Sequence, residues 1–287
     1  MITPTQHAAT SADGTTIGYL TYQPSDASLA SVVLIQGSMA TCRQYSALSQ
    51  SLASRGYTVH TPDRRGRKLS PKPYTVNHSI DRDVEDLQAV LDATSATRAF
   101  GMSSGCMVLL EAARTTSALT HMACYEPPFT SDPGDVQRKG IVRLNEEIGK
   151  GDLAAGMFSA ILTSKAAPAF ISYVPRFLGK GLASLAMQLK RGSDEDLEEL
   201  VPSVRYDFNI CQHMNDQGMD KLKEVQVKIL LLYGTESAAY FRQACRDLEG
   251  VIRGSRSVQL KGLNHDGSWN SGNPEMVADE LHKFFSS

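Results

Sequence analysis

Along the chain, short apolar runs alternate with longer stretches in which apolar positions recur every three to four residues. Residues 31–37 are apolar almost throughout, which is typical of a parallel strand covered on both faces. The other predicted strands lie at residues 57–63, 98–102, 121–126, 227–234 and 257–262. The helical spacing predicts helices at residues 43–54, 79–93, 104–114 and 240–248, and from residue 274 onwards. Strands that alternate with helices predict an α/β protein with a mostly parallel, twisted sheet flanked by helices.

Two segments depart from this alternation. Residues 7–22 alternate between polar and apolar positions around an Ala-Asp-Gly turn, which predicts an antiparallel hairpin at the sheet edge. Between about residues 130 and 224 the strand signal disappears, and helical patterns are interrupted only by Gly and Pro. We therefore predict a core domain of residues 1–130 and 225–287, and a helical cap of residues 131–224.

Charge and composition narrow the choice of partner. Of the 287 residues, 29 are Lys or Arg and 31 are Asp or Glu, so a basic surface for nucleic acid or an anionic membrane is not expected. No apolar run reaches the length of a membrane helix, and no secretory signal precedes the first strand. The five cysteines are scattered, which fits reduced thiols. These features predict a cytoplasmic protein that acts on a small molecule. They leave open whether the protein forms a homodimer.

The pentapeptide Gly-Met-Ser-Ser-Gly at residues 101–105 follows a predicted strand and precedes a predicted helix. Its two glycines permit a turn too tight for side chains, which exposes the hydroxyl of Ser103 at the positive end of the helix. A serine hydroxyl needs an adjacent general base to act as a nucleophile. Of the seven histidines, His265 lies in a loop between the last strand and the last helix, whereas His60 and His121 lie in strands and are interpreted as core or edge residues. Cys106, in the following helix, is interpreted as a core residue.

These segments, in this order, resemble the α/β-hydrolase superfamily over nearly the whole chain. The resemblance rests on the loop IQGS, the segment PDRRGR, the elbow GMSSG, the strand end YEPPF, the strand and loop LLLYGTES, and the loop NHDG. It implies the α/β-hydrolase fold with a helical cap, and a catalytic triad with Ser103 as nucleophile and His265 as base. It also implies an oxyanion hole formed by the backbone N–H groups of Ser38 and Ser104. Gln36 stands where the family usually has histidine.

The acid of the triad has two candidates. The family's usual position, in the loop after strand 227–234, holds Ser237, which cannot stabilise an imidazolium; Glu236 is its neighbour. The second position that the fold allows is the end of strand 121–126, where Glu126 stands before Pro127. We favour Glu126, for which a salt bridge to Arg64 or Arg65 is the alternative. For these basic residues themselves, a structural role in ion pairs is favoured over binding of a substrate carboxylate.

The cap is expected to supply the substrate pocket. Its aromatic residues Phe158, Tyr173 and Phe177, with Phe129 near the mouth, are the candidates for the lining. The resulting hypothesis is a serine hydrolase that cleaves an ester, thioester or lactone of a moderately apolar small molecule, with no metal or organic cofactor. The alternatives are a biosynthetic tailoring enzyme on the same fold (a lyase, cyclase or acyltransferase) and a ligand-binding protein without catalysis.

Overall fold

The apolar runs form the strands of a single sheet. A computed structural model describes residues 2–26, 28–75, 78–116, 118–130, 134–166 and 169–287. The strands are β1 Thr5–Thr10, β2 Thr16–Tyr22, β3 Ala30–Ile35, β4 Tyr57–Pro62, β5 Arg98–Met102, β6 His121–Tyr125, β7 Lys228–Gly234 and β8 Arg256–Leu260. Their order in the sheet is β1-β2-β4-β3-β5-β6-β7-β8. β2 is antiparallel to β1 and β4, and the other pairs are parallel, so the predicted fold class and the N-terminal hairpin are confirmed.

Helices connect the parallel strands and cover both faces of the sheet. They are α1 Ser46–Ser54, α2 Ile80–Thr94, α3 Ser104–Thr115, α4 Gly134–Gly149, α5 Leu153–Ser164, α6 Arg176–Lys190, α7 Leu197–Gln217, α8 Ala239–Val251 and α9 Pro274–Phe285. Local sequence sets their ends: the Asn273 side chain accepts from the N–H of Met276, and Pro274 occupies the first turn of α9. None of the described helices is both long and apolar enough to cross a lipid bilayer.

Two apolar clusters, one on each face of the sheet, explain why a central strand such as β3 is apolar on both sides. In β3, Val33 and Ile35 belong to the cluster beneath α2, α3 and α8, while Val32 and Leu34 belong to the cluster beneath α1 and α9. Successive side chains of a strand point to opposite faces, so a strand with helices on both sides has no polar face. Each such side chain contributes about 1.5–3 kcal/mol when fully buried.

The segment between β6 and β7 is helical, as predicted, and consists of α4 to α7 with short 3₁₀ turns at Ala169–Tyr173 and Met219–Leu222. It has its own apolar cluster, to which Leu144, Phe158 and Val204 belong. The second half of α7 differs, because Ile210 and Met214 pack in the core cluster beneath α3. The helix α7 therefore joins the cap to the core, although the sequence predicted that all residues up to 224 belong to the cap.

Ion pairs between the arginines after β4 and buried carboxylates strengthen this junction. Arg64 and Arg67 both bind Asp207 of α7, the latter with an Nη2–Oδ2 distance of 3.0 Å, and all three side chains are buried. Arg64 also pairs with Asp83, and Arg65 with Asp86. The structural interpretation of these arginines is confirmed. Removing one member of such a pair leaves a buried charge uncompensated, which typically costs about 3–5 kcal/mol.

A buried histidine makes the stability of the fold depend on pH. The Nδ1 atom of His60 lies 3.0 Å from the Thr21 hydroxyl, and burial lowers the pKa of His60 to about 4. In the unfolded chain a histidine has a pKa of about 6.5, so below that pH the unfolded state takes up a proton that the folded state rejects. We expect this residue to remove about 2 kcal/mol of stability between pH 8 and pH 5.

Urea unfolding at the two pH values measures this contribution. The drop in the free energy of unfolding should be about 2 kcal/mol smaller in His60→Gln than in the original protein. His213→Gln, at an exposed position of α7, is the matched control and should keep the full drop. Equal drops in all three proteins would contradict the assignment.

Candidate active site

Ser103 stands on a strained turn between β5 and α3. Its φ of 51° and ψ of −123° are outside the ordinary regions for a residue with a side chain. A Cβ atom at Gly101 would lie 2.8 Å from the Leu109 side chain, and one at Gly105 would lie 2.7 Å from the carbonyl oxygen of Ile35. Glycine is therefore required on both sides of the serine, as the sequence predicted, and the turn presents the serine side chain at the carboxyl edge of the sheet.

The loop after β3 lies directly against this turn. A Cβ atom at Gly37 would be 3.1 Å from the Cβ of Ser103, and the neighbouring Ser38 lines the same cavity as Ser103 and Ser104. Ser104 begins α3, and the first N–H groups of a helix have no partner within the helix. The amide of Gln36 donates to the carbonyl oxygen of Pro62, which ties the loop to the end of β4.

His265 is bound to Glu126 and not to Glu236. The distance between His265 Nδ1 and Glu126 Oε2 is 2.7 Å, and the N–H of Gly234 donates to the other carboxylate oxygen at 2.8 Å. Glu126 is fully buried, with a φ of 52° that turns the chain sharply after β6. Glu236, the second candidate for the acid, is exposed and is not the residue bonded to the histidine. The hydroxyl of Ser237 is buried without a hydrogen-bond partner among the described residues.

The alternative of a salt bridge from Glu126 to the arginines after β4 is excluded, because Arg64 and Arg65 pair with aspartates. A carboxylate only accepts hydrogen bonds, so its contact assigns the hydrogen to Nδ1 of His265 and leaves Nε2 free to accept. The loop that carries the histidine is itself held, since the Tyr125 hydroxyl donates to the carbonyl oxygen of Asn264 at 2.6 Å.

Phe241 of α8 stacks on the imidazole of His265, with ring centroids 4.5 Å apart and planes 11° from parallel. It is nearly fully buried and therefore fixes the ring plane from the side. Sequence reasoning missed this residue, because its position in an ordinary amphipathic helix carries no signal of its contact with a loop 24 residues later.

Ser103 and His265 line one cavity of about 470 Å³ between the sheet edge and the cap. Within the described residues, no hydrogen bond joins the serine hydroxyl to the imidazole. Apolar side chains form much of the wall: Met39, Ile141, Ile161, Phe208, Phe241 and Trp269. Polar side chains from the cap also reach it: Gln137, Arg138, Gln212 and Asn215. A cavity of this size and composition is typical of a site for a small organic molecule.

The aromatic residues predicted to line the pocket are elsewhere, which corrects that prediction. Phe129 is buried in the core cluster, and Phe158 is buried in the cap, where Gly179 packs against its ring. Tyr173 and Phe177 are 86% and 75% exposed. Phe129 precedes the cap and packs in the core, whereas the cap places Phe158, Tyr173 and Phe177 outside the cavity lining. Helical spacing alone does not reveal which face of a cap helix covers the site.

Two further groups near the cavity have perturbed acidity. Burial raises the pKa of Asp266, the neighbour of His265, against the opposing effect of the histidine. Burial also raises the pKa of Cys106 well above its usual value, so this thiol is unreactive, in line with the interpretation as a core residue. Among the described residues, no cluster of three or more His, Cys, Asp or Glu side chains has the arrangement of a metal site.

Comparisons with known proteins identify the family and the fold. The model of the alpha/beta hydrolase family matches residues 32–280, and a search of curated proteins found no match. An alpha/beta hydrolase from Sphaerobacter thermophilus is similar at 25% identity, with a TM-score of 0.77 over 97% of this chain and 100% of that chain. The esterase RhEst1 from Rhodococcus sp. (20% identity, TM-score 0.66, 98% of both chains) and the enol-lactonase from Burkholderia xenovorans (17%, 0.69, 98% and 100%) share the fold.

Proposed function

Because the chain belongs to the alpha/beta hydrolase family, we propose that it is a serine hydrolase acting through an acyl-enzyme on Ser103. Its substrate is an ester, thioester or lactone of a moderately apolar small molecule. The observation that carries the proposal is the hydrogen bond of 2.7 Å between His265 and the buried Glu126, in a cavity that Ser103 also lines. A buried carboxylate that orients an imidazole, with a serine lining the same cavity, is the set of groups that activates a nucleophile.

In the proposed reaction, Nε2 of His265 takes the proton from the Ser103 hydroxyl as the oxygen attacks the substrate carbonyl carbon. Glu126 accepts from Nδ1 and stabilises the imidazolium that forms. The proton then passes from Nε2 to the leaving oxygen or sulfur, and the acyl group stays on the serine. A water molecule attacks the acyl-enzyme, again with the histidine as base, and restores the free serine.

The negative charge that develops on the carbonyl oxygen requires donors at fixed positions. The backbone N–H groups of Ser38 and Ser104 are the proposed donors, supported by the contact of the Gly37 loop with the serine turn. One such donor typically contributes about 2.7–4 kcal/mol to transition-state stabilisation. Because both donors belong to the backbone, replacing the Ser38 side chain by alanine should cost far less than this.

The composition of the cavity supports the substrate class. Ile141, Ile161 and Phe208 of the cap form an apolar wall for the acyl or leaving group, while Arg138 and Gln212 provide polar groups. Acyl chains of intermediate length should therefore react faster than acetate.

Labelling with a fluorophosphonate tests the proposal directly. The full chain is incubated with the probe, and the adduct is located by mass spectrometry. We expect one adduct on Ser103, and none in Ser103→Ala, while Ser104→Ala, a neighbouring control, is still labelled. Hydrolysis of p-nitrophenyl acyl esters is measured in parallel. A folded protein that neither reacts with the probe nor hydrolyses any ester of the series would contradict the proposal and favour a non-hydrolytic or purely binding function.

A further inference from the structure

The helix α6, on the outside of the cap, exposes an apolar stripe. The stripe consists of Leu178, Leu182, Leu185 and Leu189, which are between 49% and 77% exposed. They are separated by four, three and four residues, which is the repeat of a helix that packs lengthwise against another helix. None of the described residues covers this stripe, although four aligned leucines are the pattern of a buried seam.

The packing of α6 within its own chain does not need the stripe. The opposite face of the helix, with Gly179, Ala183 and Met187, is buried against the rest of the cap. Gly179 lies so close to the ring of Phe158 in α5 that a Cβ atom there would be 2.2 Å away. One face of α6 therefore holds the helix in place, and the leucine face is available to a partner.

The exposed area has the size of a specific interface. Besides the stripe, Phe170, Tyr173 and Phe177 at the start of α6 and in the preceding turn are 65%, 86% and 75% exposed. An aromatic side chain has about 150–250 Å² to bury, so the seven residues together expose on the order of 800 Å². This is close to the area per partner in a standard protein–protein interface, which is about 800 Å².

Charge distinguishes a second copy of the chain from a lipid surface. The residues that flank the stripe carry no charge: Gly181, Ser184, Ala186 and Gln188. The basic residues of α6 and the next turn are each paired with an acidic residue of the cap: Arg176 with Glu147, Lys180 with Asp152, Lys190 with Glu195, and Arg191 with Glu198. An anionic membrane attracts uncompensated basic residues, and α6 offers none among these.

We propose that α6 is the interface of a homodimer, in which the stripes of two copies pack antiparallel around a two-fold axis. In such an interface the same patch occurs on both sides, so an uncharged apolar stripe is complementary to itself, whereas a charged one would repel. Leu182 and Leu185, in the middle of the stripe, lie nearest the axis. Since α6 packs on α5, whose Ile161 lines the active-site cavity, the second copy also braces the outer side of the cap.

The oligomeric state in solution tests the interface independently of any catalytic activity. The mass of the full chain is measured by light scattering during size-exclusion chromatography and by sedimentation equilibrium, at concentrations up to about 100 µM, above the micromolar Kd at the weak end for interfaces of this size. The test variant is Leu182→Glu/Leu185→Glu, which places four carboxylates at the axis. Leu29→Glu, at a position 64% exposed on the core domain, is the matched control.

We expect the original protein and Leu29→Glu to be dimers and the double variant to be a monomer with an unchanged circular dichroism spectrum. Three results would overturn the proposal: a monomeric original protein, a double variant that remains dimeric, or a Leu29→Glu variant that dissociates equally. Flotation with phosphatidylserine vesicles tests the alternative partner, a lipid surface. A monomeric protein that binds the vesicles through the stripe would show that the stripe contacts lipid and not a second copy of the chain. None of these measurements depends on whether Ser103 is a nucleophile.

Discussion

Replacing Ser103 by alanine should lower kcat for p-nitrophenyl ester hydrolysis by roughly five to six orders of magnitude, which is the loss seen when a triad nucleophile is removed. The effect is this large because another candidate nucleophile in the cavity, the Cys211 thiol, cannot substitute: burial raises its pKa and keeps it protonated. The measurement is kcat and KM for a medium-chain ester, with freshly purified protein.

The fold should be unaffected by this substitution. Ser103 keeps a side chain of one carbon in alanine, and its N–H continues to donate to the carbonyl oxygen of Tyr125 at 2.9 Å. The thermal midpoint of Ser103→Ala should therefore match that of the original protein, and Ser104→Ala should retain most of the activity. Turnover that survives in the alanine variant would show that the serine does not form a covalent intermediate.

The second large effect is expected from Glu126→Gln, which should lower kcat by about 10⁴-fold. In the original protein the Gly234 N–H donates to one carboxylate oxygen of Glu126. Because this buried N–H needs an acceptor, it will donate to the amide oxygen of the glutamine in the variant. The amide NH₂ then faces Nδ1 of His265, which must become an acceptor, so the hydrogen moves to Nε2. A histidine protonated at Nε2 cannot accept the proton of the serine.

The matched control is Glu236→Gln, the same change at the exposed alternative position. Substitutions at the surface usually change free energies by no more than about 0.5 kcal/mol, so kcat should stay within about twofold. The two variants are compared in kcat and in the pH dependence of kcat/KM. A larger loss in Glu236→Gln than in Glu126→Gln would mean that the loop after β7 rearranges and supplies the acid.

The sequence predicted those parts of the molecule that local rules determine. The strands were recognisable because a sheet covered on both faces excludes polar residues, as in Val32 to Ile35. The turn of Ser103 was recognisable because only glycine fits at positions 101 and 105, where backbone and side chains approach within 3 Å. In both cases the requirement restricts the residue types at neighbouring positions, so it is visible in the local sequence even where the contact itself, as between Gly105 and Ile35, is distant.

Other parts depend on distant contacts and could not be predicted in the same way. Whether Glu126 or Glu236 meets the histidine depends on how β6, β7 and a loop 139 residues later come together. The ring that stacks on His265 and the residues that line the cavity depend on helix orientations that amphipathic patterns leave open. Tyr173 and Phe177 are an example: both are aromatic residues of the cap, but they are exposed, so aromatic character did not indicate which face of the cap lines the cavity.

Because Glu126, directly after β6, orients His265, the segment from Gly234 to residue 238 contributes its backbone but no side chain to holding the imidazole. That segment supplies the Gly234 N–H to the carboxylate, while the backbone of Thr235 and Glu236 pairs with residues 260 and 263. Of its side chains, Thr235 accepts from the N–H of Gly262 and the hydroxyl of Ser237 is buried, whereas Glu236 is exposed. For engineering, this makes the exposed position 236 one at which the side chain can be changed without disturbing the hydrogen bond between Glu126 and His265.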